Sequence, residues 1–343
     1  MRHAFNLLLL HAFTLSLLFV SVSCSLSAAA TPDIHTANKK LGRGINFGNA
    51  LDAPREGEWG VHLKSDYFRA VKEAGFDTVR LPVKWSAHAA TSAPYTIEAT
   101  FAARVDWAIE QALANKLNIV VNIHHYDEMD VNPDANLPRL VGLWEQIAAR
   151  YKDRPAELYF ELLNEPHDKL TEAKWNAAIP HVLRAVRKTN PTRPVIVGPG
   201  QWNGIRALDK LELPKDDRNL IVTVHSYDPF EFTHQRASWV KGADKWKDRM
   251  WTGTEAEQAA IRKQFQKAAD WGKKHDRPIF LGEFGAYEAA DMESRARWTR
   301  FVSREAETMG FSWAYWEFCS GFGAYDAATN SWREPLKRAL VER

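Results

Sequence analysis

The sequence predicts an α/β fold closed into a single (β/α)8 TIM barrel, on three observations. Eight short β-rich runs alternate strictly with longer helical patterns from residue 40 onward. Several runs are almost wholly apolar, as parallel strands covered on both faces are, among them Ile119-Val120-Val121-Asn122-Ile123 and Ile279-Phe280-Leu281. No internal repeat, low-complexity tract or Pro/Ser linker divides residues 31–343, so one domain is expected there.

In chain order the strand candidates are Gly44–Gly48, Thr78–Pro82, Asn118–His124, Leu158–Asn164, Pro194–Gly198, Leu220–His225, Pro278–Glu283 and Phe311–Trp316. Helical patterns fill the intervals at Phe101–Ala114, Leu140–Tyr151, Lys174–Lys188, Glu255–Lys274 and Ser294–Thr308. Gly75, Gly272 and Gly310 stand near expected helix ends, where a left-handed turn suits a residue without Cβ. An open doubly wound sheet is the rival topology. It would want a phosphate-binding loop after the first strand, and Gly42-Arg43-Gly44-Ile45-Asn46-Phe47-Gly48 places its third glycine one position too late.

Composition narrows the function classes. With 45 Lys and Arg against 43 Asp and Glu, the formal charge is +2 and no basic stripe is visible, so a dedicated nucleic-acid binder is not expected. Fourteen Trp, 9 Tyr and 17 Phe exceed what a core needs and suit a surface that stacks on flat ligands. The first thirty residues read as an export signal: Arg2 and His3, an interrupted apolar run from Ala4 to Val20, then Ala28-Ala29-Ala30 as a cleavage site. Lipid attachment at Cys24 is the alternative. Cleavage removes Cys24 and leaves Cys319 unpartnered, so a secreted (extracellular or periplasmic), disulfide-free chain is expected; a monomer is expected as well.

Two carboxylates close strand candidates and fall at the same barrel mouth: Glu165, after Leu162-Leu163-Asn164 and before Pro166, and Glu283, after Ile279-Phe280-Leu281-Gly282. Breaking a glycosidic bond needs one protonated carboxyl for the leaving oxygen and one ionised carboxylate near the anomeric carbon. Arg80, ending the second strand, can hold one of them ionised. Glu161, turned the same way but deeper, is expected to be a structural acid that must find a donor. His124-His125 could instead start a metal site. Neighbours on a strand end point to opposite sides and no third ligand is apparent, so no metal and no cofactor are expected.

Asn164-Glu165-Pro166, Glu283, Arg80, His124, His225 with Tyr227, and Trp316 together resemble glycoside hydrolase family 5. The opening Gly44-Ile45-Asn46-Phe47-Gly48-Asn49-Ala50-Leu51-Asp52-Ala53-Pro54 is similar to the start of its endoglucanase branch. The resemblance covers residues 38–343. It implies a retaining double displacement on a polysaccharide or oligosaccharide, with Glu165 as acid/base and Glu283 as nucleophile. It further implies that Asn164 bonds the sugar 2-OH, that His225 neighbours the acid/base and that Tyr227 and Arg80 position the nucleophile. By the same likeness His124 bonds the 3-OH, Trp316 forms the floor, and His125 and Asn49 touch the same or the next sugar. Asp52 is a less firm member of this set.

Among the other tryptophans, Trp107, Trp144, Trp175, Trp271 and Trp298 are expected to pack against the barrel, while Trp85 and Trp202 are expected to line the cleft. The long loop Ser226–Gly253 reads either as a miniature aromatic core or as a cleft wall. The expected substrate is β-1,4-glucan, cellulose-like or mixed-linkage, cut internally. β-Mannan or xyloglucan is the alternative within the family, and a barrel that only binds sugar is a remote one. With no linker or binding module legible, soluble or amorphous polymer is the expected form of substrate.

Overall fold

A computed structural model describes Met1 and residues 33–342. Residues 2–30 of the assigned export signal, with its cleavage site and Cys24, lie outside the described residues. Eight strands form a closed, wholly parallel barrel in sequence order: β1 (Arg43–Asn46), β2 (Thr78–Leu81), β3 (Asn118–Asn122), β4 (Leu158–Glu161), β5 (Val195–Val197), β6 (Leu220–His225), β7 (Ile279–Glu283) and β8 (Ser312–Tyr315). Closure is made by β1, which pairs with both β2 and β8. The observed strands stop one to three residues before the predicted ends on β1–β5 and β8. The apolar runs continue, but their last residues leave the ladder for the mouth, so hydropathy alone overshoots.

Alternation sorts each strand into two layers. Outward residues such as Ile45, Val79, Val121, Phe160, Val197 and Leu281 join the helices in the main core. Inward residues Val120, Tyr159, Ile196, Ile221, Phe280 and Ala314 form a second apolar cluster at the base. That cluster is completed by Ile34, Ala37 and Leu41 from a helix, Ile34–Leu41, ahead of the first strand. This helix was not foreseen; Asp33 caps it by accepting from the Thr36 N–H. It plugs the barrel floor, where Tyr159 donates to Ala37 O at 2.9 Å and Asn38 donates to Ile279 O at 3.0 Å.

The surrounding helices have ordinary causes. Glu255–His275 begins with a reciprocal capping box between Thr254 and Glu257. Met292–Thr308 is capped by Asp291, and Glu172–Arg187 by Thr171. Trp144, Trp175, Trp271 and Trp298 are buried against the barrel as expected, and Trp107 is partly buried against it. Three of them donate to carbonyls near the mouth: Trp144 to Leu162, Trp175 to Gly198 and Trp298 to Asp228. Cys319 is a free thiol, partly buried.

Candidate active site

Above the apolar base the barrel interior turns polar, and Arg80 organises it. Its Nε and Nη2 donate to the two oxygens of Glu161 at 2.7 and 2.8 Å. Nη1 donates to Asn46 Oδ1 at 2.8 Å and to Glu283 Oε1 at 2.6 Å, while Nη2 also reaches Asn164 Oδ1 at 2.7 Å. All three guanidinium nitrogens are engaged, and both Arg80 and Glu161 are fully buried. Glu161 thus finds the donor that its burial demands. Asn46 is held in turn by donating to Gly282 O, Ala314 O and Tyr315 O.

Glu283 reaches this arginine because β7 is irregular. Strict alternation from inward Phe280 and outward Leu281 would turn position 283 toward the helices. The register instead shifts so that Val224 faces Leu281 but His225 faces Glu283, skipping Gly282. The bulge re-aims Glu283 into the mouth, where its second oxygen accepts from the Tyr227 hydroxyl at 2.8 Å. Glu165 arrives by another route. It lies four residues past the end of β4 with a left-handed φ of 47°, and its Oε1 lies 2.7 Å from His225 Nδ1. The same Nδ1 is 3.6 Å from Glu283 Oε2. A carboxylate oxygen of Glu165, one of Glu283 and a His225 ring nitrogen all lie within 4.8 Å of one another.

Burial raises Glu165 to about 7, with only the charges of Arg80 and His167 opposing it. Burial raises Glu283 too, but there the charges of His225 and Arg80 and the Tyr227 hydrogen bond oppose it. Burial lowers His225 to about 4, so near neutrality its ring carries one proton. The two carboxyls therefore sit in different surroundings, one poor and one rich in donors.

A second group flanks this pair. Trp316 lies parallel to His124, with ring centroids 5.7 Å apart and an 8° interplanar angle. A side chain at Gly48 would meet the Trp316 ring at 2.7 Å, which explains a glycine there. Asn49 has φ 63°, and its N–H and that of Ala50 donate to the buried Asp52 carboxylate. Burial lifts Asp52 to about 7 against those bonds. All ten residues predicted for the site are gathered at this end of the barrel.

Three expectations need correction. His124 and His125 do not diverge. His125 has left the strand with φ 49°, its ring centroid is 4.5 Å from that of His124, and Asp52 supplies a third potential metal-ligating group within 4.8 Å. Trp85 does not line the cleft; it is fully buried, donates to Asn122 O and packs edge-on against Phe101. The loop after β6 divides its aromatics instead of assigning them all to one role. Phe232 and Trp251 are buried, Tyr227 serves Glu283, and Phe230 and Trp239 are exposed. Trp202 is exposed and stacks on His167, as a cleft residue can.

Some members of the site went unforeseen. Asn46, Asn122 and Asn203 are buried polar residues that support its arginine and histidines. Glu317 follows Trp316 and accepts from the N–H groups of Cys319, Ser320 and Phe322. The only available signal was an asparagine closing an apolar run, as in Val120-Val121-Asn122.

The family model Cellulase (glycosyl hydrolase family 5) matches residues 42–321. Endoglucanase H of Acetivibrio thermocellus is 37% identical over 280 residues, covering 81% of this chain and 30% of that protein. Cellulase/esterase CelE of the same organism is 29% identical over 299 residues, covering 81% of this chain and 36% of that protein. The chain thus spans about a third of the length of these curated relatives. Among solved structures, Cel5A of Thermotoga maritima is 50% identical with a TM-score of 0.89, over 90% of this chain and 100% of that one; it has been solved with mannotriose and with cellobiose.

Proposed function

The chain belongs to the cellulase family, glycosyl hydrolase family 5, and on that premise we propose that it is an endo-acting β-1,4-glucan hydrolase that retains anomeric configuration. Glu165 is the acid/base and Glu283 the nucleophile. One observation carries this reading: carboxylate oxygens of the two residues approach within 4.8 Å around His225. Retaining glycosidases hold their carboxyls about 5–5.5 Å apart, whereas inverting ones leave about 6.5–9.5 Å for a water.

The chemistry follows from the two environments. Glu165, carrying its proton near neutral pH, gives it to the departing glycosidic oxygen. Glu283, oriented by Arg80 and Tyr227, attacks the anomeric carbon to form a glycosyl-enzyme. Glu165, now a carboxylate, removes a proton from the water that releases the sugar. Asn164 accepts from Arg80 through Oδ1, which leaves its Nδ2 to donate to the 2-OH. His124 bonds the 3-OH, the Trp316 face supports the ring, and His125 and Asn49 hold that sugar or the next one.

Replacing Glu283 by Gln should abolish turnover while leaving oligosaccharide binding largely intact; surviving turnover would overturn the nucleophile assignment. NMR of the first product should show the β-anomer. β-Mannan is the second backbone to test, because Cel5A of Thermotoga maritima accommodates both mannotriose and cellobiose. Hydrolysis of soluble β-glucan, carboxymethyl-cellulose, mannan and xyloglucan, with product sizing, separates these substrates and endo from exo action. We further propose an exported, monomeric enzyme; no helix among the described residues is long and apolar enough to cross a membrane.

A further inference from the structure

The segment leaving β5, Gly198-Pro199-Gly200-Gln201-Trp202-Asn203, turns sharply toward β6. Three consecutive non-glycine residues in it take left-handed backbone, with φ of 56°, 57° and 53° at Gln201, Trp202 and Asn203. Gly204 then bridges to His225, pinning the turn against the end of β6. Such a run of sparsely populated conformations persists only where its surroundings over-determine it. Its result is to bring the fully buried Asn203 amide against the His225 ring, Nδ2 to Nε2 at 3.3 Å. A side chain at Gly198 would come within 2.1 Å of Asn203 Oδ1, so glycine there leaves the amide its room.

We infer that Asn203 is a positioning residue for the acid/base: by donating to His225 Nε2 it fixes the imidazole as the Nδ1–H tautomer and so directs the Glu165 proton toward the substrate. This rests on the reading of Glu165 given above. Nδ1 faces Glu165 Oε1 at 2.7 Å and Glu283 Oε2 at 3.6 Å, two acceptors that favour a proton on that nitrogen. A neutral ring with Nδ1–H has a bare Nε2, which requires a buried donor, and Asn203 Nδ2 supplies it. Oε1 of Glu165 is then occupied by accepting from His225, and the carboxyl proton resides on Oε2. From there it passes to the leaving oxygen, while the Nδ1 proton stays on His225. In the opposite tautomer a bare Nδ1 would accept the Glu165 proton in a hydrogen bond and turn it away from the glycosidic oxygen. The other titratable groups facing this pair are Glu283, Arg80 and Glu161 from the strands, His167 from the loop after β4, and Tyr227, which bonds Glu283.

The test combines ring-nitrogen NMR with a choice of leaving group. Wild type should show protonated Nδ1 and bare Nε2 at His225. Asn203→Asp keeps shape and tolerates left-handed backbone, but presents Nε2 with an acceptor, so Nε2 should become protonated. Its kcat/KM on soluble β-1,4-glucan should fall about ten- to a hundredfold, part of what a general acid contributes. On dinitrophenyl β-cellobioside, whose leaving group departs unprotonated, the loss should be at most about threefold. Asn203→Gly, which suits the same backbone, should show the same split at smaller size if the aspartate variant does not fold. Protonated Nε2 in wild type, or equal losses on both substrates, would overturn the inference. The tautomer is read in the resting protein, so it decides the matter even if wild type hydrolysed neither substrate, a result that would overturn the functional reading instead.

Discussion

The floor and the mouth of this barrel are built from opposite materials. At the floor, Ile34, Leu41, Val120, Ile196, Ile221 and Phe280 pack dry, and the polar atoms of Tyr159 and Asn38 are paired. At the mouth, Arg80, Glu161, Glu283, Asp52 and Glu317 are all buried, and Asn49, His125, Glu165 and Asn203 hold left-handed backbone. Burying charge and holding unusual backbone both oppose folding. The contrast teaches that the floor stabilises a structure that the mouth strains, and that the strain gathers around the proposed catalytic pair.

Substitutions can break that contrast. The largest effect is expected for Arg80→Met, which leaves Glu161 and Glu283 without their shared cation. Stripping one partner from a buried pair costs about 3–5 kcal/mol, and glucan hydrolysis should be lost with it; denaturant titration and kinetics measure both. Glu165→Gln should separate the two properties. Its kcat/KM on glucan should fall about 10²–10⁴-fold while calorimetry shows Tm held or raised. Leu41→Ala should do the reverse, destabilising by about 2–4 kcal/mol with kcat and KM at 25 °C within about twofold of wild type.

The smallest effect concerns pH. Because Glu165 is raised to about 7, glucan kcat/KM should decline as pH rises through about 7 and the acid loses its proton. The same shift bears on stability. A carboxyl whose folded value lies above its unfolded one contributes stability that is complete below the unfolded value and lost as pH rises through the folded one. Glu165→Gln should therefore stabilise more at pH 8 than at pH 5, by on the order of 1 kcal/mol, since the side chain is 25% exposed and water moderates the cost. An equal effect at both pH values would contradict the raised carboxyl.

What was legible in the sequence were residues whose position announces their direction. His225 closes a strand, Arg80 stands one residue before a strand end and Asn164-Glu165-Pro166 breaks an apolar run, so much of the mouth could be assembled from the sequence; Glu283 closes a strand too, but the bulge that turns it inward was not legible. Residues that act by reaching across the barrel were not legible. Asn46 and Asn203 owe their roles to partners on other elements, whereas Glu317 caps the turn that directly follows it, which no sequence pattern marks. Trp85 shows the limit from the other side: standing just past a strand says nothing of which way a ring turns, and this one turned into the core. The floor helix escaped notice because Ile34–Leu41 precedes the first strand and no alternation marks it.

The skipped residue in β7 has a practical meaning for anyone transplanting this machinery. Aim at position 283 depends on counting, since the offset opposite His225, and not the identity of the glutamate, turns it inward. Grafting the same side chains onto a regularly paired eight-stranded scaffold would preserve the motif letter for letter and face its counterpart of Glu283 toward the outer helices. A designer who copies residues without copying that irregularity should obtain a folded, inert protein.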